Sequence, residues 1–146
     1  MYKIAKTFTF EAAHQLSGLA PNHPCMRLHG HSYSVTIIIE GNKPDANGMV
    51  VDYRDLDAFK KWIDDNLDHQ FLNDVLVVDM VDPVTGKAYQ KPLPTTAENI
   101  AWFLYTKANE MYLPVRKSIE ESESRMWWIT AIRVSETGKT WAEYKE

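Results

Sequence analysis

The sequence predicts an α+β domain in which four antiparallel strands form one sheet and two helices cover one face of that sheet. Segments that alternate apolar and polar residues stand near both ends of the chain. Two segments with apolar residues at every third or fourth position lie between them. The predicted order is therefore strand, strand, helix, helix, strand, strand. The whole chain, 1–146, is expected to form one domain, because about 150 residues per domain is usual.

The first two strands are predicted from apolar side chains that recur at every second position. The first strand covers residues 2–10 and is expected to end near Ala12, before a loop rich in Gly and Pro over residues 17–24. After the second strand, the turn-rich segment 41–48 leads into an extended run at 49–51, which predicts a hairpin. The apolar residues concerned are Tyr2, Ile4, Phe8 and Phe10 in the first strand and Tyr33, Val35, Ile37 and Ile39 in the second.

Two amphipathic helices are predicted in the middle of the chain. Residues 53–67 carry apolar side chains on one face and charged ones on the other, and Asp52 is expected to cap this helix. The second helix is expected to begin at Thr95, where Thr-x-x-Glu matches a capping box, and to end at Pro114. The connection between the helices, 74–93, is expected to hold a short strand or a lid.

The last part of the chain predicts a solvated loop followed by two strands. Residues 117–125 are polar and acidic, which is typical of an exposed loop. Residues 126–134 carry apolar side chains on both faces, and the turn 136–139 leads into a final strand at 140–145. A monomer with apolar residues on both sheet faces would expose more apolar surface than soluble monomers tolerate. Association with further copies of the chain is therefore expected.

Composition excludes several classes of function. The formal net charge is -4 and no cluster of Lys and Arg is present, which argues against a general nucleic-acid-binding protein. No apolar stretch approaches the roughly 18 residues that a membrane span needs, and no signal-peptide pattern opens the chain. The single cysteine cannot form an internal disulfide and fits a reducing compartment. We therefore expect a cytoplasmic protein without nucleic-acid or membrane partners.

The segment Cys25–His31 predicts a metal site. If His29 and His31 open a strand, the period of two points both imidazoles to the same face. His14, at the end of the preceding strand, is the best candidate for a third ligand. Three neutral imidazoles with an open position suit a zinc ion that acts as a Lewis acid. Cys25 could instead be a fourth ligand, which would make a closed zinc site in a protein that is not an enzyme.

Two further sites are ambiguous when the residues are considered alone. Asp68 and His69 follow the first predicted helix, and a carboxylate next to an imidazole often fixes its tautomer for acid–base work. The same His69 could simply be favoured by the helix dipole. Glu136 stands at a strand end, where it could bind a ligand with two adjacent donors or be an ordinary surface residue of a turn.

Five motifs are spread over nearly the whole chain. They are Phe-x-Ala-Ala-His-x-Leu at 10–16, Cys-x3-His-Gly-His at 25–31, Leu-Asp-His-Gln-Phe-Leu-Asn at 67–73, Pro-Thr-Thr-Ala-Glu-Asn at 94–99 and Val-Ser-Glu-Thr at 134–137. Together they resemble the 6-pyruvoyltetrahydropterin synthase family. The three-residue interval between Cys25 and the first histidine of His-Gly-His is most similar to the bacterial branch of that family, the 6-carboxytetrahydropterin synthases of queuosine biosynthesis.

The resemblance implies a fold and an assembly. The fold is the tunnelling fold, or T-fold, with ββααββ order, in which the sheets of three subunits join edge to edge into a barrel. Two such rings stack into a homohexamer, a dimer of trimers. The resemblance also implies that Asp68 and His69 complete the site of a neighbouring subunit around Cys25.

The resemblance further implies an activity. The expected reaction converts 7,8-dihydroneopterin triphosphate into 6-carboxytetrahydropterin, acetaldehyde and triphosphate, catalysed by a zinc-dependent lyase. Zinc would be held by His14, His29 and His31, with Cys25 as a base and His69 as a proton relay oriented by Asp68. The pterin would be anchored by Glu136. A 6-pyruvoyltetrahydropterin synthase, which also eliminates triphosphate but keeps the three-carbon side chain, is the alternative within the family.

Overall fold

The fold, seen in a computed structural model that describes residues 1–146, is a main sheet with helices on one face and a separate small hairpin. The main sheet has five strands in the order β3-β1-β2-β6-β7, and β4 pairs only with β5. The elements in chain order are β1 (Tyr2–His14), β2 (His29–Gly41), α1 (Asp57–Asn66), β3 (Gln70–Phe71), α2 (Leu72–Val75), β4 (Val77–Val81), β5 (Ala88–Pro92), α3 (Ala97–Glu123), β6 (Trp127–Thr137) and β7 (Thr140–Tyr144).

The predicted α+β class and the four antiparallel strands are confirmed. β1, β2, β6 and β7 are each antiparallel to their neighbour in the sheet. The two-residue strand β3 adds a fifth, parallel strand along the outer edge of β1, which the sequence did not predict. β1 is also longer than predicted, since it continues beyond Ala12 to His14, where it still pairs with His29 of β2. This extra length carries His14 to the sheet end where β2 begins.

Both long helices bury their apolar stripes against one face of the sheet, as predicted. Phe59 and Ile63 of α1 and Ile100 and Leu104 of α3 belong to the same core cluster as the inward-facing side chains of β2. Burial of each such side chain contributes about 1.5–3 kcal/mol to the free energy of folding. No helix in the structure has the length and apolar character needed to cross a membrane. The fully buried side chains of β2 are Tyr33, Val35, Ile37 and Ile39.

The segment between β2 and α1 differs from its prediction. Residues 49–51 are irregular and pair with no strand, so the predicted hairpin is wrong. Asp52 does not cap α1, because its carboxylate accepts the N–H of Arg54 at 2.8 Å and organises a turn. The helix begins only at Asp57. A short acidic side chain accepts a hydrogen bond from the nearest free backbone N–H, and here that N–H lies in the turn before the helix.

The second long helix begins one residue later and ends much later than predicted. Its N-cap is Thr96, whose hydroxyl accepts the N–H of Asn99 at 3.3 Å. Pro114 lies inside α3, and most of the segment 117–125 is helical rather than a loop. Proline removes one helical hydrogen bond, but Arg116 ties the second half of the helix to β6 through Nε and the Trp127 carbonyl at 3.1 Å. This contact between the helix and β6 therefore offsets the tendency of Pro114 to end the helix.

The connection 74–93 contains a short helix and a hairpin. α2 is followed by β4 and β5, and Leu93 donates its N–H to the Leu76 carbonyl at 2.9 Å, which closes the base of the hairpin. The predicted short strand is thus present, together with a second one. The β5 side chains are all exposed, whereas Val77 and Val78 of β4 are half-buried.

Candidate active site

Three histidines meet at the end of the main sheet. The antiparallel register pairs His14 of β1 with His29 of β2, and His31 lies two residues further along β2 on the same face. One ring nitrogen of each histidine can be chosen so that all three lie within 4.8 Å of one another. We call His14, His29 and His31 the histidine triad. The side chain of His14 is 1% exposed, so the triad is sealed on the side of the core.

The tautomers of two rings follow from their outer hydrogen bonds. His14 Nδ1 lies 2.8 Å from the Thr95 carbonyl, and His29 Nδ1 lies 2.6 Å from the Arg27 carbonyl. A carbonyl oxygen only accepts, so both Nδ1 atoms carry the proton and both Nε2 atoms present a lone pair. A metal-binding histidine is usually oriented in this way by an outer partner.

The inward nitrogens fit a cation and have no other partner. His14 Nε2 and His29 Nε2 are 3.0 Å apart with lone pairs on both, which is repulsive unless a cation lies between them. His31 Nε2 is buried and makes no hydrogen bond. Burial, reinforced by the neighbouring imidazoles, lowers the pKa of His14 from its usual 6.5, so that ring is neutral at pH 7. A triad of imidazole nitrogens with a free side matches the donor set of catalytic zinc.

Glu136 stands next to the triad. Its Oε1 lies 3.9 Å from His14 Nε2 and its Oε2 lies 3.9 Å from His31 Nε2, too far for direct hydrogen bonds. The same residue lines a cavity of about 250 Å³ together with Thr96 at the start of α3. Glu136 therefore borders both the triad and this cavity.

Tyr33 is a site residue that the sequence reasoning missed. Its hydroxyl is buried without a partner, and its ring lies edge-on to His14 and His31 at 5.9 and 5.5 Å between centroids. Burial raises the pKa of Tyr33, with a further contribution from Glu136, so the phenol keeps its proton. The signal in the sequence that could have identified it is its position two residues after His31, on the same face of the strand.

Asp68 and His69 form a hydrogen-bonded dyad at the outer edge of β1. Asp68 Oδ1 accepts the Glu11 N–H at 2.8 Å, and its Oδ2 lies 2.8 Å from His69 Nδ1. The His69 N–H in turn donates to the Glu11 carbonyl at 2.6 Å, and His69 holds a positive φ of 58°. These contacts fix the dyad to β1, three residues before His14, which is about 10 Å along the strand.

The charges of Asp68 and His69 favour a role for His69 in proton transfer. The Glu11 amide, followed by the hydrogen bond with His69, lowers the pKa of Asp68 below its usual 3.8. The ionised carboxylate holds the proton on His69 Nδ1 and leaves Nε2 free. The His69 side chain is 78% exposed and faces a cavity of about 470 Å³ that it shares with His31 and Ser32.

Cys25 lies apart from the triad. It is half-buried in a short 3-10 turn at Pro24–Met26, where its N–H donates to His23 Nδ1 at 3.1 Å and its carbonyl accepts from Leu16 at 2.8 Å. The second bond ties the turn to the chain two residues beyond His14. The sulfur does not belong to the cluster of potential metal ligands. The structure thus brings Glu136 to the triad, while Cys25 and the dyad occupy separate positions nearby.

An α+β domain whose sheet ends in a histidine triad, with His14 buried and His29 and His31 half-buried, defines a protein with a candidate metal centre. Comparison with known proteins identifies its class. The family model for 6-pyruvoyl tetrahydropterin synthase matches residues 3–146. The chain belongs to this family of tetrahydropterin synthases.

Individual relatives agree with that assignment. The 6-carboxy-5,6,7,8-tetrahydropterin synthase of Haemophilus influenzae is 33% identical over 156 aligned positions that cover both chains completely. The protein of the same name from Rickettsia felis is 38% identical over 109 positions, covering 71% of this chain and 78% of the relative. Among solved structures, an uncharacterized Wolinella succinogenes protein has a TM-score of 0.71 at 24% identity, with 99% of this chain and 98% of that one covered. The Caenorhabditis elegans 6-pyruvoyl tetrahydropterin synthase has a TM-score of 0.69 at 22% identity, with 99% and 95% covered. These two structures support the T-fold.

Proposed function

We propose that this protein is a zinc-dependent 6-carboxy-5,6,7,8-tetrahydropterin synthase of queuosine biosynthesis. It would act as a lyase in the cytoplasm, converting 7,8-dihydroneopterin triphosphate into 6-carboxytetrahydropterin, acetaldehyde and triphosphate. The observation that carries the proposal is the inward orientation of the His14 and His29 lone pairs, fixed by the Thr95 and Arg27 carbonyls. The name shared by relatives that align over most or all of this chain supports the choice of substrate.

The triad would hold zinc through the Nε2 atoms of His14, His29 and His31. The bound ion would supply Lewis-acid polarisation of an oxygen on the substrate side chain. Glu136 would accept hydrogen bonds from the ring N–H and the 2-amino group of the pterin, the two-donor edge that a carboxylate binds best. Its 3.9 Å distances to two triad nitrogens would keep the pterin side chain close to the metal ligands.

Proton transfer would be carried by Cys25 and His69. Cys25, as a thiolate, would remove a proton from the substrate side chain. His69 would take up a proton at Nε2 and then return it to the substrate, since Asp68 keeps Nδ1 in its protonated form. Tyr33 would add a protonated hydroxyl beside the triad, able to donate to a substrate oxygen.

The position of the dyad supports an active site shared between subunits. His69 is largely exposed in the single chain, and about 10 Å of strand separates its anchor on Glu11 from His14. A homohexamer, a dimer of trimers, would bring the dyad of one subunit to Cys25 of its neighbour. Joining sheets edge to edge would also cover the open strand edges of the main sheet.

The activity is tested by incubating the zinc-loaded protein with 7,8-dihydroneopterin triphosphate and identifying the products by mass. We expect 6-carboxytetrahydropterin together with acetaldehyde. A product that keeps the three-carbon side chain would make the protein a 6-pyruvoyltetrahydropterin synthase instead. No release of triphosphate would refute both activities.

A further inference from the structure

Asn73 ends the motif Leu67–Asn73, and the site described above makes no use of it. It lies in the short helix α2 and is half-buried. Asparagine is a poor helix former, because its amide competes for backbone hydrogen bonds, so the helix gives no reason for this residue. The reason must lie in what its side chain contacts outside α2.

The amide of Asn73 forms hydrogen bonds with both backbone groups of Gln15. The Gln15 N–H donates to Asn73 Oδ1 at 3.0 Å, and Asn73 Nδ2 donates to the Gln15 carbonyl at 2.8 Å. Because a backbone N–H only donates and a carbonyl only accepts, these partners also fix which end of the amide is the oxygen. The two bonds resemble the exchange of N–H and carbonyl between paired residues of antiparallel strands.

Gln15 is the first residue after the end of β1. The ladder between β1 and β2 ends at His14, and β3 pairs with β1 only earlier, at residues 12 and 13. Gln15 itself is exposed and belongs to no strand. The Asn73 amide takes the place of the strand partner that is missing there. Asn73 therefore fixes the backbone immediately after a histidine of the triad.

Asn73 also borders Thr95, whose carbonyl lies 2.8 Å from His14 Nδ1. Thr95 is fully buried, and its hydroxyl lies 3.5 Å from both Asn73 Oδ1 and the Gln15 carbonyl. Both acceptors near this hydroxyl thus belong to Asn73 or to the residue that Asn73 binds. One side chain therefore contacts the two segments that set the position of His14 and its tautomer.

We infer that Asn73 is a positioning residue of the histidine triad. It fixes the backbone after His14 and borders the residue whose carbonyl keeps the proton on His14 Nδ1, although it is not itself one of the potential metal ligands. Loss of its amide should let His14 move relative to the other two histidines and should weaken metal binding. The inference rests on the zinc site proposed above and is independent of which pterin is the substrate.

The test measures the zinc affinity of the assembled full-length protein, first stripped of metal, by competition with a chromophoric chelator. Asn73→Ala should bind zinc about tenfold more weakly than wild type, the lower end of the range for partners that orient metal ligands, because Asn73 acts one contact further away. Asn73→Asp should bind zinc about threefold more weakly, since its carboxylate still accepts the Gln15 N–H but cannot donate to the Gln15 carbonyl. Its added negative charge would by itself favour a cation, so weaker binding reports the lost hydrogen bond.

Two control variants separate positioning from a general loss of stability. Asn66→Ala removes an asparagine whose amide donates within its own helix, to the Trp62 carbonyl at 2.8 Å. Tyr112→Phe removes a hydrogen bond between distant segments, from the Tyr112 hydroxyl to the Asp55 carbonyl at 3.0 Å. Tyr112 packs on Trp127, the first residue of β6, at the other end of the sheet from the triad. Both variants should keep the wild-type zinc affinity, and Tyr112→Phe should do so although its midpoint of urea unfolding falls.

Zinc affinity equal to wild type in Asn73→Ala, or in Asn73→Asp if the alanine variant does not assemble, would overturn the inference. So would an equal loss of affinity in Tyr112→Phe, which would show that any weakening of the fold disturbs the triad. In both cases zinc binding by the wild type would leave the proposed metal site standing. A wild-type protein that binds no zinc would refute the proposed site together with this inference.

Discussion

Mixing two inactive variants tests whether the active site is shared between subunits. Cys25→Ala removes the proposed base, and His69→Ala removes the proposed proton carrier. Neither residue lies in the core, since Cys25 is half-buried and the His69 side chain is 78% exposed. Both variants should therefore fold and assemble. Each homo-oligomer should have lost most turnover, because removing a general acid or base typically costs about 10²- to 10⁴-fold.

The expected recovery follows from the geometry of a symmetric assembly. If each site takes Cys25 from one chain and His69 from its neighbour, random mixing at equal amounts gives about one quarter of sites with both wild-type residues. The mixture should then show about a quarter of wild-type activity per site, far above either variant alone. If the whole site lies within one chain, every chain carries one defect and no recovery is possible.

The assay needs mixed oligomers that are verified directly. Two affinity tags, one on each variant, allow purification of the mixed species after dissociation and reassembly, and native mass spectrometry gives its composition. Mixing Cys25→Ala with a second tagged copy of Cys25→Ala is the control and should recover nothing. Absence of recovery in verified mixtures would contradict the shared site. A monomeric mass in light scattering would contradict the assembly itself.

The remaining predictions concern the metal, the base, the anchor and the dyad. The purified protein should contain about one zinc per chain, and X-ray absorption should show only nitrogen and oxygen ligands; a sulfur ligand would contradict the triad. Cys25→Ala should keep the metal while turnover falls about 10²- to 10⁴-fold, roughly 2.7–5.4 kcal/mol of barrier; loss of zinc would indicate a closed site instead. Glu136→Gln should weaken pterin binding in calorimetry by at least about tenfold, or 1.4 kcal/mol, because an amide places a donor against a donor; unchanged affinity would remove Glu136 from the site. Because the pKa of Asp68 is lowered from 3.8 in the folded protein, its stabilising contribution is present above that pH and is lost as the pH falls below it. The stability difference between wild type and Asp68→Asn in urea unfolding should therefore shrink below about pH 4, and a difference that grows in acid would contradict this.

The sequence predicted those parts of the site that depend on a single periodic pattern. His29 and His31 share a face because a strand repeats every two residues. His14 joins them because β1 pairs antiparallel with β2 in a register that places it opposite His29. β1 and β2 are neighbours in the sheet and are joined by one loop, so their pairing can be predicted from a short stretch of sequence.

Contacts between distant elements could not be predicted in this way. Glu136 reaches His14 across β2, since β1 and β6 are not neighbours in the sheet. Its distance from the triad depends on the register between β2 and β6, which shifts at a bulge between Ile38 and Ile39. A one-residue shift reverses the face of every later side chain, and no pattern in the sequence marks where it occurs. The role suggested for Glu136 came from the resemblance to a family, and its proximity to the triad came only from the structure.

The one-residue error at the start of α3 shows how the helix and the metal site are linked. The capping motif suggested that Thr95 would use its hydroxyl to begin the helix, but Thr96 does so. Thr95 is left fully buried just before the helix, and its carbonyl accepts the proton of His14 Nδ1 at 2.8 Å. A carbonyl in the first turns of the helix would be committed to an N–H four residues later, whereas the carbonyl before the N-cap is free. Starting the helix at Thr96 therefore releases the acceptor that fixes the tautomer of His14, and the position of the cap is part of what makes the triad able to bind a metal.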